Sequence, residues 1–541
     1  MNRSVLVMLC SILSVGVIAV AQPQSGGRLV WALYEEPPTL DPIGSTLAVQ
    51  HMINDHIFEH LCVFDNEGRL QPHLCTDWTV SSDGLVWDVY LKPGITFHNG
   101  KPVTAEDWVY SLERTRRIGP RSGFYEPVDR YVAVNQYTLR IVLKRPFPRI
   151  LEILTLPDAY VVDKDTVEAM GDSFGIRPPL NGTGPYELAE WVRGEYILLK
   201  RVPTYDHGPS WRTNQGPAYV EEVQFRFIRD DNTRVFELIN GNVDITPFIP
   251  ASLYDIVLAA PNITFVEQVR NMTGHLAINA KHEPLNNPLV RWAIAMAIDR
   301  ESIVQIAYRG HAHPAYILCS PSQLGFPHDS YDSVKAFYPA TNIELAKVYL
   351  EAAGWVDNDG DGVREKDGKE LRLSLWTQLS TEDRLMGQII QSQLAKIGIA
   401  TEIVSIETGT FYGALVTQAR HDLALGMSGY PFAMDFLPFQ HHTRSIKGSN
   451  YSFYDYELAP VIDALLDTAQ LLPTEEERYA ALAEALKFIG VASVYIPLVW
   501  PMYPLAWKTD RVGGVEEVIK HVFKTQVDSI PLDCLEYYIK K

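Results

Sequence analysis

At 541 residues and 61.0 kDa the chain exceeds one ordinary domain, and at roughly 100–200 residues per domain it predicts about three. Hydrophobic residues at 46%, charged residues at 21%, and Gly and Pro at 35 each exclude a disordered, collagenous or coiled-coil chain. A net charge of -19 repels phosphate backbones, so nucleic acid is excluded as an expected partner, and a mean hydropathy of -0.07 argues against a multi-span membrane protein.

Arg3 precedes the apolar run 5–20, and Ala19-Val20-Ala21 stands before Gln22, the three regions of a cleavable export signal over 1–21. Cys10 lies inside the apolar run after the bulky Leu9, so a soluble exported protein is predicted rather than a lipid-anchored one. Loss of Arg3 takes the charge from -19 to -20. Four cysteines then remain, Cys62, Cys75, Cys319 and Cys534. In an oxidising compartment they allow two disulfides in three connectivities, or buried free thiols. Cys62 and Cys75 flank the turn Asn66-Glu67-Gly68 at unequal offsets, so a bridge between them is one of the open alternatives.

A strand over 28–33 leads into the Pro-rich loop 35–42. Asp83-Gly84 separates strands 76–80 and 86–91 as a hairpin that Pro93-Gly94 ends. Thr104 with Asp107 three residues on predicts a capped helix that carries Val109 and Leu112 and closes on Arg114, Arg116 and Arg117. Pro178-Pro179 and Asn181-Gly182-Thr183-Gly184-Pro185 break the chain before strands at 186–190, 196–200 and 223–228. A strand at 275–279 precedes a helix with Asn287 as N-cap and Pro288 at its first position. Strand 371–376, helix 381–397 and strand 399–404 form a crossover unit stopped by Gly398. Thr474 and Glu477 make a capping box for a helix reaching about 489, followed by an apolar strand at 494–500. The class is mixed α/β with several lobes and no internal repeat.

Three motifs carry candidate chemistry. Gly171-Asp172-Ser173-Phe174-Gly175 matches a serine nucleophile elbow, but helix before it and Arg177-Pro178-Pro179 after it deny the strand-turn-helix context. His56-Ile57-Phe58-Glu59-His60 has the spacing of a zinc hydrolase helix, with His56 and His60 as ligands and Glu59 as base; the packing reading is a helix turn over 49–61. His441-His442 reads as a solvated loop pair. Asp357-Asn358-Asp359-Gly360-Asp361-Gly362 resembles the first half of an EF-hand loop, with Asp357, Asp359 and Asp361 as candidate calcium ligands. Position 12 is Gly368 rather than Glu, so Asp367, Glu365 or distant groups would complete a structural site. No cofactor is required by any motif.

Several ordered segments together resemble the extracytoplasmic solute-binding proteins of family 5, the peptide and nickel type that feed ABC transporters. They are Thr39-Leu40-Asp41-Pro42; the block Trp78, Ser82-Asp83-Gly84, Leu91-Lys92-Pro93-Gly94, Phe97-His98-Asn99-Gly100 and Pro102-Val103-Thr104-Ala105-Glu106-Asp107; Asn181 to Tyr186 with Glu190-Trp191; and Gly241-Asn242-Val243-Asp244-Ile245. The resemblance implies an α/β, periplasmic binding protein-like type II (Venus flytrap) fold. In it, two lobes joined by a hinge carry an additional inserted α+β domain. The expected division is signal 1–21; lobe I from 22–61, 181–279 and 501–541; the insert 62–180; and lobe II 280–500. The implied function is extracytoplasmic capture of a small solute, an oligopeptide or dipeptide first and an oligosaccharide as the alternative. The protein, expected as a monomer, would deliver it to ABC permease subunits and would not be an enzyme. The rival of another class is a secreted metallohydrolase using His56, Glu59 and His60.

In the peptide binders an Asp after a Gly-Trp turn pairs with the ligand's amino group. Here that position falls on Pro431 or Ala433, and Asp435 aligns with a later family Asp. The ordinary anchor is therefore missing unless Asp435 or Glu36 replaces it. The expected ligand-binding residues are Tyr34, Glu35, Glu36, Pro37, Thr408, Phe411, Tyr430, Phe432 and Asp435, with Tyr125 from the insert.

Overall fold

The computed structural model describes residues 23–430, 432–446, 448–516 and 533–540, so the export signal expected over 1–21 lies outside the described residues. The strand Tyr495–Lys508 is buried along nearly all of its 14 residues and runs through both halves of the protein. Pro497, Pro501 and Pro504 within it have no N–H to give to a ladder, yet their carbonyls are used. Pro497 accepts from Arg300 Nε at 2.7 Å, Pro501 from the Arg270 amide at 2.8 Å and Pro504 from the Phe248 amide at 3.1 Å. The first half of this strand pairs with Thr273–Ile278 and the second half with Ile245–Pro247 on the same sheet path, while Ile263–Val269 and Ala312–Pro314 pair off that path.

The complete path is Ala400–Ile406, Arg372–Gln378, Leu423–Ser428, Thr273–Ile278, Tyr495–Lys508, Ile245–Pro247, Arg28–Leu33, Glu222–Phe227, Tyr196–Arg201 and Tyr186–Val192. Arg372–Gln378 and Ala400–Ile406 are parallel with the helix Thr381–Ala395 between them, as the crossover pattern predicted. The insert is a separate antiparallel sheet, Cys75–Val80, Val86–Leu91, Thr138–Leu143 and Val128–Asn135 in spatial order. The helix Ala105–Ile118 packs on it through Trp108 and Leu112, and its capping box joins Thr104 to Asp107. Asn287 caps Pro288–Ala297, and Thr474 with Glu477 caps Glu475–Ala492.

The division placed at 279/280 needs correction. Leu276 and Ile278 of Thr273–Ile278 are packed with Ile294, Leu375 and Leu425 of lobe II, so this strand belongs to the lobe II core. The boundary at 500/501 cuts a continuous strand, because Tyr495–Lys508 is shared. The helix expected over 49–61 is shorter, Ala48–Asn54, and His441 and His442 are buried rather than solvated. The insert also joins lobe II directly. Arg149, wholly buried, grips Asp435 through two bonds of 2.9 Å and Glu152 at 2.7 Å, and Phe64 meets Phe432 at 5.6 Å.

Glu59 is fully buried at the root of the insert, where it accepts from His73 at 2.8 Å, Tyr205 at 2.8 Å and His207 at 3.0 Å. Burial alone would raise its carboxyl, but the charges and hydrogen bonds of His207 and His73 outweigh that and lower it, while Glu59 raises His207 against its own burial. His56 Nδ1 donates to Met52 O and His60 Nε2 to Leu156 O, so neither imidazole joins Glu59 in a ligand set. Among the described residues the only acidic or imidazole group close enough to hold a metal ion is Asp357, Asp359, Asp361 and Glu365, which removes the ligand set of the metallohydrolase reading.

Two outcomes follow for stability. Gly182 of the Asn181-Gly182 punctuation lies against the chain of lobe I, where an added Cβ would stand 1.9 Å from Ile57 O. Gly182→Ala should lower the urea unfolding free energy by about 2–3 kcal/mol through overpacking, whereas Gly413→Ala, in a helix with open space, should be neutral or stabilising. Burial depresses His51, His60 and His441 to about 3 and His56, His275 and His421 to about 4, from 6.5. These imidazoles take up protons on unfolding, so their contribution is full above about pH 6.5 and is lost as pH falls. The Glu59 contribution holds above about pH 4.5 and fails below it; that of His207 is full below about pH 6.5 and is lost as pH rises through its raised value. Melting curves should therefore show the midpoint falling between pH 7 and pH 4.5.

Candidate functional site between the lobes

Two connections pass from lobe I to lobe II, the strand Tyr495–Lys508 and the link Arg270-Asn271-Met272 between Ile263–Val269 and Thr273–Ile278. Gly429 of lobe II sits so close to the second that a Cβ there would stand 2.0 Å from Asn271 O, so only glycine fits. Ser322 Oγ donates to Val269 O, Ser320 Oγ to Arg270 O, and Gln323 Nε2 to Tyr430 O at 2.8 Å. The segment after Ala312–Pro314 thus ties the hinge to the lobe II loop.

On the lobe I side the ring of Tyr34 meets Phe248 edge-on at 4.9 Å, and Phe248 meets Tyr503 at 4.8 Å. Phe248 has φ 55°, a left-handed conformation that costs a bulky residue on the order of 1–3 kcal/mol. Its N–H to Pro504 O and its carbonyl, which accepts from Arg234 Nη2 at 3.0 Å, hold it there. On the lobe II side Tyr412 exposes 37% of its surface, and desolvation pushes its hydroxyl up to about 12. Its hydroxyl donates to Met427 O and accepts from Met427 N. Tyr430 is half-buried, edge-on to Phe124 of the insert at 5.5 Å and to Phe439 at 5.0 Å, and desolvation pushes it up to about 12.

Arg121 completes the site. It follows Gly119-Pro120 after the helix Ala105–Ile118 and precedes the short turn Ser122–Tyr125. Its charge acts on His51 of lobe I, on Asp158 and Tyr160 of the insert and on Tyr430 of lobe II, so the guanidinium stands where the three units meet. Arg121 Nη1 is buried without a hydrogen-bond partner among the described residues, and His51 Nε2 and Asp158 Oδ2 are in the same condition. Buried donors left unpaired are costly, and an anionic group is the partner that a guanidinium accepts best.

The expected ligand residues divide. Tyr34, Glu35 and Tyr430 remain partly accessible at the lobe faces. Glu36 does not replace the amine anchor, because it accepts from Trp191 Nε1 at 2.8 Å and Gly194 N at 3.0 Å. Asp435 does not either, because Arg149 occupies both of its oxygens. Pro37, Phe411 and Phe432 are buried packing residues, and Tyr125 is wholly buried with its hydroxyl donating to Asp158 at 3.3 Å. Thr408 opens the helix Thr408–Gln418, and its side chain lies outside the described residues. Pro431 is also outside them. Sequence reasoning missed Arg121, Phe124, Phe248 and Tyr412. A lone Arg in a loop carries no signal, and Phe124 was one residue from the position chosen.

A separate cavity of about 1070 Å3 adjoins the hinge, lined by Glu67 and Gly68 of the insert, Glu267 to Val269, His313, Met502, Pro321 to Ser330 and Tyr479. None of the expected ligand residues lines it. In the acidic turn Asp357 accepts from the amides of Gly360 and Gly362, Asp359 from Asp361 and Asp361 from Val363, while Glu365 accepts from Asn358. Oxygens of Asp357, Asp359, Asp361 and Glu365 lie within 4.8 Å of one another, a spacing that fits a hard cation.

The model of the bacterial extracellular solute-binding proteins, family 5 Middle, matches residues 69–447. The oligopeptide-binding protein AppA of Bacillus subtilis (strain 168) is 28% identical over 487 residues, 86% of each chain. The glutathione-binding protein GsiB of Salmonella paratyphi A is 26% identical over 379 residues, 69% of this chain and 68% of the other. The structure of B. subtilis AppA with a nonapeptide superposes with a TM-score of 0.75 at 23% identity, covering 96% of this chain and 100% of that one. CtaP from Listeria monocytogenes superposes with a TM-score of 0.79 at 21% identity over the same shares. These structures establish the two-lobe fold, and with a family match over more than half of its length, the chain belongs to the bacterial extracellular solute-binding proteins of family 5.

Proposed function

We propose that the chain, exported by its 1–21 signal, captures a short peptide between its lobes as a monomer and delivers it to the permease of an ABC importer. The observation that carries the ligand reading is the unpaired Arg121 at the meeting point of the three units. A peptide's terminal carboxylate supplies the acceptor that Arg121 Nη1 lacks, and the rings of Tyr34, Phe248, Tyr412 and Tyr430 offer walls for its side chains. The peptide-binding relatives AppA and GsiB support this class over an oligosaccharide. With Glu36 and Asp435 both occupied, recognition of the free amino group is secondary here.

Titration calorimetry with di- to hexapeptides in free, N-acetylated and C-amidated forms checks this. Amidation should weaken binding about 10- to 100-fold, the scale of a hydrogen bond to a charged group, and acetylation should change it little. Arg121→Ala should remove the preference for a free carboxylate without lowering the melting temperature of the unliganded protein. Equal binding of free and amidated peptides by the native chain, or binding of glycans alone, would reject the reading.

The acidic turn is proposed as a structural calcium site with Asp357, Asp359, Asp361 and Glu365 as ligands, supported by the addition of Glu365 to the three expected carboxylates. Calcium added to metal-stripped protein should raise the melting temperature and release heat, and Asp359→Asn should abolish both; silence in both measurements would remove the site.

A further inference from the structure

We propose that Cys62 and Cys75 are joined by a disulfide in the exported protein, and that this bond fastens the root of the insert. The four mature cysteines are all buried, but they are not equivalent. The sulfurs of Cys62 and Cys75 lie 3.5 Å apart, on stretches of backbone already held together: the Cys75 amide donates to Leu61 O at 3.2 Å, the His73 amide to the same oxygen at 3.0 Å, and Cys62 faces Pro72 in the ladder of Cys62–Phe64 with Leu70–Pro72. A disulfide needs the sulfurs about 2.05 Å apart, so they must close by roughly 1.5 Å, an adjustment within the reach of side-chain rotation between stretches joined at Leu61 O. Cys319 lies in the core shared by the insert and lobe II, and Cys534 in the core of lobe I with Trp31 and Tyr537, so they do not form a second pair. Each of the three connectivities open in the sequence needs two bridges, and the separation of Cys319 from Cys534 leaves the proposed Cys62–Cys75 bridge with two free thiols instead.

The pair is also chemically unequal. In the folded, reduced pair the hydrogen bond between the sulfurs raises Cys62 and lowers Cys75. The oxidant is a protein disulfide of the extracytoplasmic thiol-oxidising class. One of the two cysteine thiolates attacks one donor sulfur, forming a mixed disulfide and expelling the other donor sulfur as a thiolate. The second cysteine thiolate then attacks the cysteine sulfur of the mixed disulfide, which releases the remaining donor sulfur as a thiolate. Two protons and two electrons leave the cysteines, and the donor ends as a dithiol. Because both cysteines are buried in the folded chain, the exchange takes place before the insert closes on them.

The bond would close residues 62–75 into a loop. That loop carries Asp65, which accepts from the amides of Glu67 and Arg69 and from Gln71 Nε2, and it carries His73, which holds Glu59. It also brings Glu67 and Gly68 to the rim of the hinge cavity. The cross-link therefore ties the insert's first turn to the residue that Glu59 uses to hold the insert on lobe I.

The test is a peptide map of full-length chain exported with its own signal, alkylated in denaturant without reductant. Peptides containing Cys62 and Cys75 should appear linked and lighter by two hydrogens, and Cys319 and Cys534 should be alkylated. Reductant should lower the melting temperature of the native chain by several degrees and leave a Cys62→Ser, Cys75→Ser double variant unmoved. Alkylation of all four cysteines in the unreduced exported protein, or a bridge between any other pair, would overturn the proposal. The map reads the native chain and so does not depend on the variant folding.

Discussion

One strand serves both lobes, and the rest of the architecture depends on how it does so. Tyr495–Lys508 is the sheet neighbour of Thr273–Ile278 on the lobe II side and of Ile245–Pro247 on the lobe I side. Three prolines remove donors from it, and their carbonyls are taken by Arg300, Arg270 and Phe248, which belong to the lobes or the hinge. The strained Phe248 is a product of this arrangement, since its amide is fixed by Pro504 O and its ring is turned toward Tyr34 and Tyr503.

Charge is handled in two contrasting ways around that cleft. Arg149 and Asp435 are buried with both pairs of bonds made, and Glu152 and Arg478 extend the network across the insert and lobe II. Removing one member of such a pair leaves the other charge buried alone, which costs about 3–5 kcal/mol, so these residues are committed to the scaffold. Arg121 lies in the same region with a buried donor unmatched. Arg234, Arg300 and Arg478 also bury one unmatched nitrogen, but each donates elsewhere to the protein, whereas no side-chain hydrogen bond holds Arg121 among the described residues, and this sets it apart from the guanidinium groups committed to the scaffold.

Much of the local structure was legible in the residues. Thr104 and Asp107, Asn287 and Pro288, and Thr474 and Glu477 all start helices where capping chemistry requires, because a cap involves only neighbours in sequence. The crossover through Thr381–Ala395 was legible for the same reason, from apolar periodicity and the terminal glycine. The site was less so. Asp435 and Glu36 have the composition of amine anchors, but their partners Arg149 and Trp191 are 286 and 155 residues away. Glu59 and His60 have a metal-binding spacing, yet Glu59 is turned to His73 and His207 and His60 to a backbone carbonyl.

Composition, the capped helices and the ordered family segments were determined by the sequence alone, because each depends on residue type or on contacts within a few positions. Whether a given carboxylate, guanidinium or ring is occupied or available was decided only by the tertiary structure. That property depends on which distant group meets it after burial, and no local spacing encodes the meeting of Arg149 with Asp435, or the lack of a protein partner for Arg121 Nη1 among the described residues.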